Sequence, residues 1–400
     1  MAIFAKNRSS SGADRSSRSA CRTADRGPST SSGSPRAASR GGSRAAGVNA
    51  ACAIGILATL AGVITATAQA PGSAVPKTAA ATSKPWTAPR TPDGHPDLQG
   101  TWTNGTITPL ERPDGSRLTL TKDEVDRLEK GAEDRAKRLD EPSDPNRPAP
   151  PKGGDGSTGA AGNVGGYNNF WLDPGDRVAV VNGEWRSSLI VDPADGKVPA
   201  LTEEARQRNA ARAAELRGRG QYDHPELRPL GERCIMSFGS NAGPPMLPNY
   251  FYNNNYQIVQ TKDHVMILVE MVHDVRIIRM GGEHLPPHLR PWMGDSIGRW
   301  EGDTLVVETT NFHPLQRFRS ASESLKVIER FTRVSADTIL YKFTIDDPST
   351  FTRPWSGEVP FNRTDDLIYE YACHEANYAL SNILSGERAR ERGQTNRKQE

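Results

Sequence analysis

YQIVQT (256–261), HVMILVEM (264–271), DVRIIRM (274–280), SIGRWE (296–301), TLVVETT (304–310), LKVIERFTRV (325–334) and TILYKFTID (338–346) decide the fold. Each run is short and rich in β-branched and aromatic residues, which fit a pleated, half-buried surface. The first three are separated by only a few residues. Gly302-Asp303 is a two-residue loop that suits a II′ hairpin with glycine first. Ser335-Ala336-Asp337 joins the last two runs in the same way. Thr352 to Phe361 adds an edge strand, because prolines remove ladder donors from a central position. The fold expected is mainly β: an antiparallel meander closed as a barrel or folded as a sandwich.

Outward from this core, LQGTWTN (98–104), Arg177–Val181 and Ser187–Asp192 read as further short strands. Residues 121–139 read as a polar surface helix, with Thr121 as cap and Glu124 at capping-box spacing. Residues 202–217 read as a second peripheral helix, capped by Thr202. Residues 140–166 are Pro/Gly-rich and lack periodicity, as a mobile loop does. The domain expected spans 97–385, after a Pro/Ala-rich linker at 69–96 and before a disordered charged tail at 386–400.

The N-terminus reads as an export address. Residues 47–68 carry no charge, and their apolar centre, Ala50 to Ile64, has the length of a signal h-region. A membrane span needs about 20 apolar residues. Ala66-Thr67-Ala68 is a small-x-small cleavage site, so cleavage is expected after Ala68. Residues 1–46 form a basic leader expected to be disordered, and an over-long start accounts for it economically. The whole chain is formally +2, but residues 1–46 hold nine of its Lys/Arg and two of its Asp/Glu. The remainder carries 41 basic against 46 acidic residues. That mildly acidic balance gives no case for a nucleic-acid partner or, after cleavage, a membrane partner.

Two cysteines follow the signal, Cys234 and Cys373. In an oxidising compartment, periplasmic or extracellular, a lone pair reads as a disulfide, worth on the order of 4–5 kcal/mol in the chain-entropy model. The alternative is a catalytic thiol beside His374.

LQGTWTN resembles the opening of lipocalin- and avidin-type barrels, where Gly-x-Trp starts the first strand and the tryptophan plugs one end. Across residues 85–385, the strings TPDGHPDLQGTW, FWLDPG, SLIVDPADGKVPALT, GPPMLPNY, GDSIGRWEGDTLVVETTNF and YEYACHEANY resemble a family of exported bacterial proteins of uncharacterised role. This resemblance implies export and a shared fold. It implies no catalytic residue.

The chain has no H-E-x-x-H, Walker or C-x-x-C motif. Tyr378 stands where a zincin beginning at His374-Glu375 would need its second histidine. No cofactor is expected.

Polar residues inside apolar strands carry the remaining signal. Period-2 alternation puts Glu329 on one face with Leu325, Val327 and Phe331. It is then either a desolvated acid/base or the partner of an arginine across the sheet. Glu270, His273, Asp274 and Arg276 form a second cluster, read either as a rim site or as a solvated turn. His284 and His288 lie on a proline-stiffened loop. A metal there would need a third ligand among His273, Asp295 and His374, and none is expected. Tyr250, Tyr252 and Asn254 suit stacking and hydrogen bonding to a ring.

The functional expectation is a small-molecule-binding barrel. Its ligand would lie at the mouth by loops 249–256 and 281–295, with Arg276, Tyr250, Tyr252, Asn254, Trp300, His284 and His288 as contacts. Acid/base catalysis would use His273 or His374 with Glu329 or Glu270, as in a lyase, isomerase or hydrolase for an aromatic, terpenoid or sugar-like substrate. A structural envelope protein without ligand is the remaining alternative.

Overall fold

Nine strands close on themselves, and this closure leaves the barrel without a free edge. The structure, a computed structural model, describes residues 86–139, 141, 146, 172–237, 243–249, 253–375 and 377–397. The leader, the signal and residues 69–85 of the linker lie outside the described residues, as does nearly all of the 140–166 loop.

In chain order the elements are β1 (Gly100–Thr103), α1 (Lys122–Leu139), β2 (Val180–Val181), β3 (Glu184–Trp185), β4 (Ile190–Asp192) and α2 (Glu203–Glu215). The barrel run follows: β5 (Asn255–Gln260), β6 (His264–Val269), β7 (Val275–Met280), β8 (Asp295–Glu301), β9 (Thr304–Thr310), β10 (Lys326–Arg333), β11 (Thr338–Asp346) and β12 (Trp355–Arg363). Helix α3 (Tyr378–Arg397) ends the chain. β1 pairs with both β5 and β12, which closes the ring, and β4 adds to β12 outside it.

Both expected helices form, each with the cap read from its first turn. Thr121 N–H donates to Glu124 Oε2 at 2.7 Å, and Thr202 Oγ1 accepts from Ala205 N–H at 3.1 Å. Gly302 takes φ +59° between Glu301 and Thr304, as a II′ turn requires. Asn182 and Gly183, at φ +53° and +79°, make the I′ turn between β2 and β3.

Three expectations are corrected. First, the meander is not wholly antiparallel, because β7 and β8 run parallel through the pairs Ile278–Ser296 and Met280–Gly298. A parallel pair needs a crossover of about a dozen residues, and 281–294 supplies one. Gly294 ends it at φ +73°, where a Cβ would lie 2.7 Å from the Thr310 carbonyl oxygen. Second, β12 is central, not an edge. Glu358 N–H donates to Leu189 O on the β4 side, so alternation aims the nitrogen of Pro360 the same way. There it faces the interval between β4 (paired at 356–357) and β1 (paired at 362–363), so no ladder bond is lost. Third, residues 386–397 are helical. Arg388 docks on the Tyr222 carbonyl and Asp223, while Arg388–Glu391 and Arg390–Glu387 pairs brace the helix.

The two ends of the barrel differ. The tight links 261–263, 302–303 and 334–337 gather at one end. Trp102 is fully buried towards that end, its Nε1–H donating to Leu98 O at 3.0 Å, with the Arg333 and Arg363 guanidinium groups 5.4 and 5.8 Å from its ring. The long links 243–254, 311–325 and 347–354 gather at the other end, the mouth. Between them an aromatic cluster fills the core. Tyr341 lies 5.0 Å from Phe331 and 5.1 Å from Phe361, and Phe343 meets Trp355 edge-on at 5.7 Å.

Candidate functional site

Glu329 lies on the inward face with Val327 and Phe331, fully buried. Its partner is Arg276, which stands within β7 and not in a link, and whose side chain also points inward. Arg276 Nη1 donates to Glu329 Oε1 at 2.9 Å and Nη2 to Oε2. The guanidinium also donates to Ser296 Oγ and Thr309 Oγ1, each at 3.0 Å. Tyr341 donates its hydroxyl to Glu329 Oε1 at 2.9 Å and accepts from Met246 N–H at 3.0 Å. Burial and the Glu329 carboxylate push the Tyr341 hydroxyl well above its ordinary range. The Met246 carbonyl in turn accepts from Asn104 Nδ2, which also reaches the Tyr256 hydroxyl. A polar ladder therefore runs from β7 across the barrel to the backbone at the mouth. Of the two readings open for Glu329, the structure gives the ion pair.

Beside Met246, residues 230, 236–237, 243–245 and 316–319 line an open cavity of about 250 Å³. Its lining includes Met236, Pro244, Pro245 and Phe318, with Arg317, Arg319 and Gln316 as polar groups. Arg319 and Ser320 hold φ of +49° and +70°, a left-handed backbone that non-glycine residues seldom adopt. Burial and the neighbouring Arg212 and Arg208 charges hold the Arg317 guanidinium below its ordinary range, with Glu215 opposing them. Arg317 and Arg319 line the cavity, and Arg208, Arg212 and Glu215 of α2 lie near Arg317.

The other residues singled out in the sequence are dispersed. Glu270 is buried, accepts from Tyr369 N–H at 3.1 Å and is pushed up by burial. Asn254 is buried and bridges Asn249 and the Asp173 carbonyl. Asp295 fixes the crossover: it accepts from Arg279, from Leu285 N–H at 2.9 Å and faces His284 Nδ1 at 2.8 Å. His288 is exposed on the same link. Trp300 packs at the hairpin end, stacked on His95 at 4.9 Å and far from the mouth. His374 is exposed beside the Cys234–Cys373 disulfide. His273 closes a short 3-10 turn before β7. Tyr250 and Tyr252 lie outside the described residues. Among the described residues, no group of three or more His, Cys, Asp or Glu side chains could hold a metal ion.

Ser296, Thr309 and Tyr341 complete the buried ladder, and the same period-2 count that exposed Glu329 puts each on an inward face. Arg317 and Arg319 follow no period, and only the folding of the 311–325 link brings them over the barrel.

The fold and site define a closed, mostly antiparallel β-barrel with a polar ladder in its core and a cationic cavity at its mouth. Comparison with protein-family models, curated proteins and solved structures finds no match.

Proposed function

We propose that this is an exported barrel that binds a small organic anion at its mouth. The observation that carries the reading is the cavity of about 250 Å³ with Arg317 and Arg319 in its lining. Arg208 and Arg212 add to the positive potential around it. The exposed lining is mainly polar, as suits a charged ligand, with an apolar minority. Met236, Phe318 and the two prolines would hold the body of the ligand, and the arginines its anionic group. The Met246–Tyr341–Glu329–Arg276 ladder would fix the floor.

The reading is binding without turnover. Glu329 is shut from solvent and both its oxygens are held by Arg276 and Tyr341, so it does not reach a ligand at the mouth. The Cys234–Cys373 disulfide supports export to an oxidising compartment.

The test is calorimetric titration of the exported chain with aromatic and aliphatic carboxylates and their neutral amides. The expected result is binding of carboxylates only, weakened roughly tenfold or more by Arg317→Ala/Arg319→Ala. Equal binding of the neutral amides, or no effect of the double substitution, would overturn the reading.

A further inference from the structure

Helix α1 is fastened at two places and only lightly packed. At its start, Glu124 accepts from the Thr121 backbone and hydroxyl and from Arg117. One turn further on, Glu129 accepts from Val178 N–H at 3.1 Å and from Arg177 at 2.9 Å. Val125 is its one fully buried residue among those described. A surface helix ordinarily presses an apolar stripe about 100° wide onto the core. Here the next residue on that stripe, Leu128, is half-exposed and faces a cleft of about 400 Å³.

That volume lies in the range of about 300–1,000 Å³ typical of small-molecule sites. The walls are Ile107, Pro109, Leu120, Val178 and Leu128. The polar residues at the cleft are unequal. Glu124 is engaged as described. Arg186 is buried and holds Glu184 at 2.8 Å and Glu358 at 3.5 Å. Arg127 donates Nε to the Asp123 carbonyl, and its charge acts on the Glu124 carboxylate without a close ion pair among the described residues. The cleft therefore combines apolar walls with the Arg127 charge at its rim, beside the engaged Glu124 carboxylate, which the Thr121 hydrogen bonds and then this charge help to hold down.

We infer that this cleft is a second binding site, separate from the mouth, for a small monocarboxylic acid with an apolar body. The body takes the place of a packing partner under Leu128, and the carboxylate meets Arg127. The site draws on none of the residues that line the mouth cavity, so it stands or falls independently of that proposal.

The test uses the exported chain titrated with octanoate and with octanol, in wild type, Leu128→Trp and Arg127→Glu. Leu128 is half-exposed at the cleft and Arg127 is exposed, and a melting curve for each variant checks that it folds. The expected result is that octanoate binds more tightly than octanol. Leu128→Trp, which fills the cleft, removes that equivalent of bound octanoate. Arg127→Glu weakens octanoate roughly tenfold and leaves octanol unchanged. Arg317→Ala/Arg319→Ala leaves this octanoate equivalent intact. A bound-octanoate stoichiometry that Leu128→Trp leaves unchanged, or that the mouth substitutions reduce to zero, overturns the assignment to this cleft. Equal affinity for octanoate and octanol overturns the acid as the ligand class.

Discussion

Arg276 on β7 and Glu329 on β10 meet inside the barrel, one guanidinium nitrogen on each carboxylate oxygen, although 53 positions separate them. Both side chains are essentially shut from water. Taking two charges out of water costs several kcal/mol each, and mutual attraction offsets this only when the remaining hydrogen bonds are satisfied. Ser296, Thr309 and Tyr341 satisfy them.

Breaking this pair from one side should be severe. Glu329→Ala leaves the Arg276 charge buried without its counter-ion and should cost about 3–5 kcal/mol. Arg276→Met/Glu329→Leu removes both charges and should recover most of that loss. Urea denaturation of the single and double variants measures the difference. A double variant no more stable than the single would contradict the account.

Two buried carboxylates should pull the pH dependence of stability in opposite directions. Burial raises Glu270, so the folded state binds its proton more tightly than the unfolded chain. Stability from this group is present at low pH and falls as pH rises from the unfolded value through the raised folded one. Glu270→Gln should flatten that decline. Burial also opposes ionisation of Asp295, but Leu285 N–H, His284 and Arg279 outweigh it and the carboxyl is lowered. Its contribution is present above the unfolded value and lost as pH falls through the folded one, so Asp295→Asn should soften the acid limb. Unfolding free energies across about pH 3 to 8 would show both slopes.

Gly357 sits where the Phe343 ring crosses β12. A Cβ there would run into that ring and lie 3.0 Å from the Leu189 carbonyl oxygen. Gly357→Ala should cost about 1–3 kcal/mol by overpacking. Adding Phe343→Leu should return part of it, which thermal melts of the two variants would reveal.

The Cys234–Cys373 bridge closes a loop of 139 positions and ties the segment before α3 to the 230s. Its removal by Cys234→Ala/Cys373→Ala should lower the melting temperature, with an upper bound of about 4–5 kcal/mol from the chain-entropy model. Limited proteolysis should then cut within 374–397 before the strands, because the barrel ladder does not depend on that tie.

Much of the barrel was legible in the sequence because period-2 patterning and turn chemistry are local. The Gly302-Asp303 hairpin, the Thr121 and Thr202 caps and the inward side of Glu329 need only neighbouring residues. The edge position expected of Thr352–Phe361 failed because a proline's effect depends on which side of a strand its nitrogen faces. That side is set by where β4 and β1 stop pairing with β12. The tail beyond residue 385 misled for a related reason. Its helix lacks an apolar stripe and is braced by Arg388 on Asp223 and by charge pairs along its own surface.

By itself the sequence determined a mainly β chain of short strands, the cysteine pair and the inward placement of Glu329. Each follows from spacing along one strand or from residue type. Tertiary structure alone decided that β7 and β8 run parallel, that β1 closes the ring on β12, that Arg276 is the partner of Glu329, and that Arg317 and Arg319 face a cavity. These are contacts between segments far apart in the chain. They are fixed by barrel closure and by the need of buried charges for partners, neither of which leaves a local pattern.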